Sequence, residues 1–255
     1  MLAIERKNEI LQKLKAEQRV LVSVLAEQYG VTEETIRRDL DKLEKEGYAT
    51  KTYGGAIWGN STKTDLSYTI RNRTNVEAKQ TIGKLVAEVI EDGDHIMLDD
   101  SSTSLYIAKN IQNKRNLTVI TNSVEILVEL AGKDDWTVMS TGGKLKPESM
   151  ALVGDTAQRM LRGFHVDLCF FSGKGLNFDD GITDSNEFHA TMKKEMIASA
   201  GKVMLAIDSS KFDKVSFVKI ASLSEIDTII TEKKPSAEWL RFLREKSIRC
   251  LYPQD

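Results

Sequence analysis

The stretch Val31-Thr32-Glu33-Glu34-Thr35-Ile36-Arg37-Arg38-Asp39-Leu40 carries the signals that decide how the first quarter of the chain folds. Thr32 is a good helix N-cap, and Glu33 and Glu34 suit the positive end of the helix dipole. Ile36, Leu40 and Leu43 then fall on one apolar stripe, which leaves Arg37, Arg38, Asp41, Lys42 and Lys45 mainly outside. Upstream, Ile4, Ile10, Leu11 and Leu14 recur at helical spacing and predict an amphipathic helix over residues 3–16. A short β-branched stretch follows over residues 19–22, and Val24, Leu25 and Ala26 predict a second helix over residues 23–29, ended by Gly30 in the left-handed conformation. Downstream, the β-formers at residues 48–52, the Gly54-Gly55 turn and Ala56-Ile57-Trp58 predict a small hairpin. Helix, helix, turn, helix, hairpin describes a winged helix-turn-helix, assigned to residues 1–57.

Residues 58–75 are polar and lack a sustained apolar period, so a linker is expected there. Beyond them the pattern changes to apolar runs alternating with amphipathic segments. Strands are expected at residues 95–98, 117–121, 136–140, 166–171, 202–207, 227–231 and 248–252. Helices are expected around residues 78–90, 105–111, 124–131, 156–161, 187–200 and 237–245. Continuous apolar strands joined by helical crossovers imply a mainly parallel sheet covered on both faces. The whole is therefore α/β, with residues 76–255 as a second domain.

Composition narrows the class. The 255 residues are 41% hydrophobic and 29% charged, with no apolar run long enough to span a bilayer, which excludes disordered, collagen-like and membrane-spanning chains. Residues 1–13 mix charge with apolar positions, unlike a secretory signal, so a cytoplasmic protein is expected. Cys169 and Cys250 each sit in a strand-like run and are expected as reduced, buried thiols. His95, His165 and His189 lie far apart without metal-type spacing, and neither a structural metal nor a cofactor is expected. The formal net charge is only −2, and residues 1–60 hold ten Lys or Arg against ten Asp or Glu. Any nucleic-acid contact must therefore come from how charge is arranged and not from its sum.

The decisive stretch, with Leu43, Glu44, Gly47 and Tyr53-Gly54-Gly55-Ala56, resembles the DNA-binding signature of the DeoR family of bacterial transcription regulators. Leu98-Asp99-Asp100-Ser101-Ser102-Thr103, Thr121-Asn122-Ser123, Thr141-Gly142-Gly143, Asp167 with Gly173 and Gly175, and Asp208-Ser209-Ser210-Lys211-Phe212 are similar to that family's effector domain, in order. The resemblance implies a repressor, or less often an activator, of a carbohydrate-utilisation operon that senses a phosphorylated sugar or related metabolite. It also implies a sensor fold similar to ribose-phosphate isomerase. At Ser101 the family commonly has glycine, so here a side chain stands where backbone would approach a phosphate.

By that resemblance Thr35, Arg37 and Arg38 contact DNA. An arginine on a helix in the major groove can donate two hydrogen bonds to guanine, and a threonine can meet a thymine methyl or a phosphate. Lys42 and Lys51 suit phosphates, and Tyr53 is a candidate from the hairpin. About three good base contacts at ~1–3 kcal/mol each supply ~3–9 kcal/mol, whereas specific sites commonly need ~4–10 kcal/mol over random DNA. Double-stranded operator DNA is therefore expected to be read by a homo-oligomer, dimer or tetramer.

Ligands of parallel sheets collect where strand ends meet helix N-termini. Ser101, Ser102 and Thr103 could surround a phosphate there, with Asn122 and Ser123 repeating the arrangement; simple helix caps are the alternative reading of both sets. Gly142 and Gly143 permit close approach or simply a turn. Gly173, Lys174 and Gly175 add a cation between flexible positions, and Lys211 follows another strand. Asp99 could accept sugar hydroxyls, with Asp100 exposed. The rival reading is an isomerase, for which Asp167, Asp184 and Glu187 offer a carboxylate base. An architectural DNA-binding protein without a ligand is the third.

Overall fold

Helix α1, Ala3–Glu17, turns Arg6, Ile10 and Leu14 inward, one residue per turn along a single face. The computed structural model describes residues 2–45, 48–58 and 68–254 of a chain that divides into two units, Met1–Arg71 and Asn72–Asp255. In the first unit α1 leads into β1, Arg19–Leu21, then α2, Val22–Tyr29, and α3, Glu33–Lys45. Gly30 ends α2 at φ 60°, donating its N–H to the last turn, as its sequence position predicts. Thr32 caps α3, its hydroxyl accepting from Thr35 N at 3.3 Å. Ile36, Leu40 and Leu43 of α3 meet Ile10, Leu14 and Leu25 in one core.

The hairpin β2, Ala49–Thr52, and β3, Gly55–Trp58, joins β1 in an antiparallel sheet of order β1-β3-β2. That third strand is why Gly55 must be glycine: a Cβ there would stand 2.2 Å from the Val20 carbonyl oxygen. Residues 59–67 of the expected linker lie outside the described residues. The remainder is not wholly irregular, because Tyr68–Arg73 forms a helix, α4, across the division between the units. Its sequence, YTIRNR, is too short for an apolar period to register.

The second unit continues with α5, Val76–Ala87; β4, His95–Leu98; α6, Ser102–Asn110; β5, Thr118–Thr121; α7, Val124–Leu130; and β6, Thr137–Ser140. A hairpin of β7, Lys144–Lys146, and β8, Ala151–Val153, precedes α8, Asp155–Arg162, and β9, Val166–Phe171. Then come β10, Gly175–Asn177; β11, Gly181–Asp184; α9, Glu187–Ala198; β12, Ala200–Ala206; β13, Val218–Ala221; β14, Thr228–Ile230; α10, Ala237–Glu245; and β15, Arg249–Leu251.

Seven strands form one sheet of order β15-β14-β12-β9-β4-β5-β6, every neighbouring pair parallel. All seven expected apolar runs are in it. The hairpin and a second antiparallel sheet, β10-β11-β13, escaped a reading that sought continuous apolar runs, because most of their strands (KLK, GLN, GITD, VKIA) mix apolar with polar residues or glycine. Phe170 and Phe171 are fully buried, and Trp239 packs with Phe178 and Phe212, so these aromatics are core. Cys169 is buried as expected, but Cys250, on the sheet's edge strand, is only partly so. Among the described residues no helix is long and apolar enough to cross a membrane.

The strand order fixes where a ligand can sit. From β4 the chain moves outward through β5 and β6, then returns to place β9 on the other side of β4 and moves outward again. The order reverses between β4 and β9, and in open parallel sheets ligands collect at the carboxyl ends of strands at such a reversal. Asp99 through Thr103 follow β4, and Ser172 through Gly175 follow β9.

Candidate functional site

On α3 the outward face carries what the sequence promised. Arg37 and Arg38 are exposed, each paired with the glutamate one turn earlier: Arg37 to Glu33 at 2.6 Å and Arg38 to Glu34 at 3.6 Å. Pairs this exposed are weak, so both guanidinium groups can exchange a glutamate for a base or phosphate. Lys42 is exposed on the same helix, and Tyr53 stands fully out of the fold at the hairpin tip. Thr35 is half-buried and its hydroxyl lies 3.0 Å from that of Thr32, which ties it to the start of the helix. Lys51, like the two arginines, stands in an exposed ion pair. Its ammonium donates to Asp41, and its N–H donates to Glu44 Oε1 at 2.8 Å, fastening the hairpin to α3. Asp39, in the midst of the decisive stretch, points inward and accepts from Arg6 Nε at 2.6 Å with both groups buried.

At the carboxyl end of β4 the N-terminal residues of α6, Ser101 to Ser104, are buried. Ser101 is its N-cap: the hydroxyl accepts from Ser104 N at 3.0 Å, and the carbonyl takes Leu105 N. The Ser101 side chain thus serves the helix. Ser102 and Thr103 occupy the first two helical positions, whose N–H groups have no acceptor within the helix. Among the described residues neither hydroxyl has a hydrogen-bond partner. Two amides and two hydroxyls at the positive end of a helix dipole make an anion site.

The second loop differs. Ser123 caps α7 by accepting from Ile126 N at 3.3 Å, and Val124 N is taken by the Met150 carbonyl. The β7–β8 hairpin closes that helix end, so Asn122 and Ser123 do not repeat the α6 arrangement. Asn122 Nδ2 is held by Asp100 Oδ1 at 3.4 Å and the Leu152 carbonyl at 3.2 Å, leaving its buried Oδ1 without a partner.

Neither aspartate has its expected role. Asp99 is fully buried and already satisfied: it accepts from Ser101 N and Ser172 N, each at 3.1 Å, and from the Ser104 hydroxyl. It organises the crevice by joining the β4 and β9 loops, with no lone pair turned to a sugar. Asp100, expected to be exposed, is buried, with Oδ2 2.7 Å from His189 Nδ1.

Sequence reading missed the partner that completes this cluster. Lys193 on α9 pairs with Asp184 at the end of β11 and lies 3.5 Å from Asp99. Burial pushes the Asp184 carboxyl up, but Lys193 more than reverses this and holds it below the usual carboxylate range. Burial likewise lowers the Lys193 ammonium's pKa, and Asp184, Asp99 and Asp100 together raise it beyond its ordinary value. A signal existed: His189, Lys193 and Met196 share the buried phase of α9, just as Lys79 shares that of α5 with Ile82 and Val86. Lys79 is buried and donates to the Thr74 carbonyl at 2.6 Å.

The glycines owe their places to packing. Cβ atoms at Gly143, Gly173 and Gly175 would stand 2.7 Å from Val153 O, 2.7 Å from Ile182 Cγ2 and 2.4 Å from Lys214 O respectively. Gly142 has open space and φ 61°, a turn. Lys174 follows β9, and its N–H donates to Thr183 O at 2.8 Å; its charge also helps to lower the pKa of Asp184. Lys211, half-buried, ends the 3-10 turn Ser209–Lys211 that follows β12. Of the carboxylates offered for an isomerase, Asp184 converges with Asp99 through Lys193. Asp167 lies at the opposite end of the sheet, accepting from His95 N at 2.9 Å, and Glu187 is exposed. Among the described residues no cluster of His, Cys, Asp and Glu could hold a metal ion.

Comparison with known proteins agrees with this division of labour. Residues 6–62 match the DeoR-like helix-turn-helix domain and residues 74–233 the DeoR C-terminal sensor domain. The chain is 38% identical over 249 residues to the uncharacterized HTH-type transcriptional regulator YulB of Bacillus subtilis, covering 98% of this chain and 96% of that one. It is 30% identical to the putative aga operon transcriptional repressor of Escherichia coli O157:H7, covering 97% and 93%. It is 26% identical to the glycerol-3-phosphate regulon repressor of Escherichia coli K12, covering 96% and 97%. Among solved structures, ribose 5-phosphate isomerase A of Methanocaldococcus jannaschii aligns with 55% of each chain at 16% identity and a TM-score of 0.41. The fold class rests on the parallel sheet itself and not on that likeness. With a helix-turn-helix at one end, a sensor domain at the other and relatives matched along nearly their whole length, the chain belongs to the DeoR family of transcriptional regulators.

Proposed function

We propose that this protein represses a carbohydrate-utilisation operon from the cytoplasm and is released from its operator by a phosphorylated sugar held in the β4/β9 crevice. The observation that carries the effector half is the α6 N-terminus, where the Ser102 and Thr103 amides and hydroxyls are unspent. A phosphate there gains charge-assisted hydrogen bonds and the helix dipole together. Relatives named for an aga operon and a glycerol-3-phosphate regulon support the same class of target and signal.

On the DNA side, α3 enters the major groove with Arg37 and Arg38 toward base edges and Lys42 toward a phosphate, while Tyr53 reaches from the hairpin. Lys51, held to Asp41 by a pair as exposed as those of the arginines, can exchange that carboxylate for a phosphate. Two or more copies supply the discrimination that one helix lacks. Effector binding then favours an arrangement of the oligomer whose helices no longer match the operator spacing, which requires unequal effector affinity for the two arrangements.

A sensing role is favoured over isomerase chemistry by how the carboxylates are spent: Asp99 by four protein donors, Asp184 by Lys193. Calorimetry with a panel of aldose and ketose phosphates tests the reading. Saturable binding that is lost in Ser102→Ala/Thr103→Ala supports it. Binding that survives that change, or turnover of a pentose phosphate, contradicts it.

A further inference from the structure

Asp208, Ser209 and Ser210, which follow β12, spend their polar groups on protein partners. Ser209 donates through its N–H and its hydroxyl to Glu232. Asp208 is buried and accepts from the N–H and hydroxyl of Ser210 and, from far back in the sequence, from Asn75 Nδ2 at 3.1 Å; Ser210 Oγ lies 3.3 Å from the same nitrogen. Asn75 closes the segment, residues 72–75, by which the second unit receives the chain from α4 and passes it to α5. Within that segment the Thr74 carbonyl takes Lys79 Nζ at 2.6 Å, and the Asn72 carbonyl takes the Tyr106 hydroxyl of α6 at 3.4 Å. The segment is thus gripped from two places in the sensor domain, α6 and the turn after β12.

Three local costs meet in it. Asn75 is the N-cap of α5, a position asparagine suits because its backbone is extended there and its side chain accepts from the first turn. Here φ is 51°, in the left-handed region, and the side chain makes no cap bond, being turned to Asp208 instead. Asn72 Oδ1 is buried and has no hydrogen-bond partner among the described residues. Such features persist only where the surrounding contacts outweigh them. The same sequence holds a second arrangement: freed from Asp208, Asn75 relaxes to extended backbone and caps α5.

The grip on Asn72 leads back to the anion site. Tyr106 lies one turn after Ser102 on the same face of α6, and α5 packs on α6 so closely that a Cβ at Gly83 would stand 2.6 Å from the Tyr106 carbonyl oxygen. Ser102 and Thr103 are buried, so a phosphate finds room on their amides as α6 shifts, and a shift of α6 moves the Tyr106 hydroxyl with it.

We propose that residues 72–75 form a two-position joint, with Asn75 on Asp208 and Ser210 in the operator-binding arrangement and capping α5 in the effector-bound one. Tyr106 is the positioning residue that links the joint to α6. The inference rests on the effector reading given under Proposed function and assigns how that site is regulated. Effector affinity is then limited by the fraction of protein whose joint is released, so a change that weakens the held position tightens effector binding.

The test is calorimetry on the full chain with ribose 5-phosphate, glucose 6-phosphate, fructose 6-phosphate, fructose 1-phosphate and glycerol 3-phosphate, followed by operator titration in the presence of the tightest binder. Asn75→Ser keeps a side chain able to cap α5 and loses the amide that reaches Asp208; Tyr106→Phe loses a hydroxyl alone. Each is expected to bind that phosphate about threefold or more tightly than the parent, within the worth of one hydrogen bond, and to leave the operator at a correspondingly lower concentration of it. Neither should bind operator more tightly in its absence. Loss of a merely structural contact would weaken binding and not tighten it, and an unchanged melting temperature shows that the fold is intact. If the parent binds one of these phosphates and either variant binds it no more tightly than the parent, the inference is overturned while the effector reading stands. If none of the phosphates binds the parent, the effector reading itself falls, and the inference with it.

Discussion

Arg6 on α1 and Asp39 on α3 meet at 2.6 Å inside the helix-turn-helix, both buried, in the layer that holds the outward face of α3 in position. Removing one partner strands a charge, so Arg6→Ala or Asp39→Ala should destabilise the N-terminal unit by about 3–5 kcal/mol. Chemical denaturation followed by Trp58 fluorescence measures it. An Arg6→Met/Asp39→Leu double variant should recover most of the loss, because an apolar pair of similar volume restores packing without desolvating ions.

The exposed arginines are expected to behave differently. Arg37→Ala and Arg38→Ala should leave stability within about 0.5 kcal/mol. Each should weaken operator binding by about 1–3 kcal/mol and relax preference at one base position. Lys42→Ala should instead weaken all sequences alike and reduce the salt dependence of log K by about one phosphate contact. Anisotropy titrations on operator and scrambled duplexes at several salt concentrations separate the two behaviours.

These two cases mark how far the sequence could be read. The stripe Ile36, Leu40, Leu43 identified the buried side of α3, and continuous apolar runs identified all seven parallel strands, because burial on one or both faces imposes a period. Asp39 lies on that same stripe, but a charge at a core phase does not name its partner, and Arg6 is 33 residues away. Likewise the α6 hydroxyls were legible as a loop after a strand, whereas Lys193 joining Asp99 to Asp184 was not, since the three come from different elements. Asp100 was misjudged because its burial depends on His189, which α9 supplies. The strands β7, β10 and β11 break their apolar residues with Lys, Asn, Gly, Thr or Asp, so no continuous apolar run marks them.

The Asp184–Lys193 pair should give the sensor domain a defined pH response. Asp184 has a depressed folded pKa, so its contribution is complete above the unfolded value of about 4 and is lost as pH falls through the folded value. Lys193 is raised, so its contribution is complete below about 10.5 and fades only at higher pH. Lys193→Met should therefore cost about 3–5 kcal/mol at neutral pH. The deficit of Asp184→Asn relative to the parent should narrow as pH drops below about 4. Urea denaturation across pH measures both.

The thiols should be inert in the native state. Burial raises the pKa of Cys169 well above that of a free thiol, and it pushes Cys250 up to about 11. Neither presents appreciable thiolate at pH 7. Titration with a chromogenic disulfide should register no fast thiol before denaturant is added and two after; a rapidly reacting thiol in the folded protein would contradict this assignment.

The central claim is that one chain couples groove reading by α3 to anion capture at α6. Its most direct test is operator affinity, measured by fluorescence anisotropy on a duplex selected in vitro from genomic fragments, with and without a saturating phosphorylated sugar found by calorimetry. The account predicts tight binding without the sugar, at least about tenfold weaker binding with it, and no response to it in Ser102→Ala/Thr103→Ala. An operator affinity that is unmoved by a ligand known to be bound would contradict it.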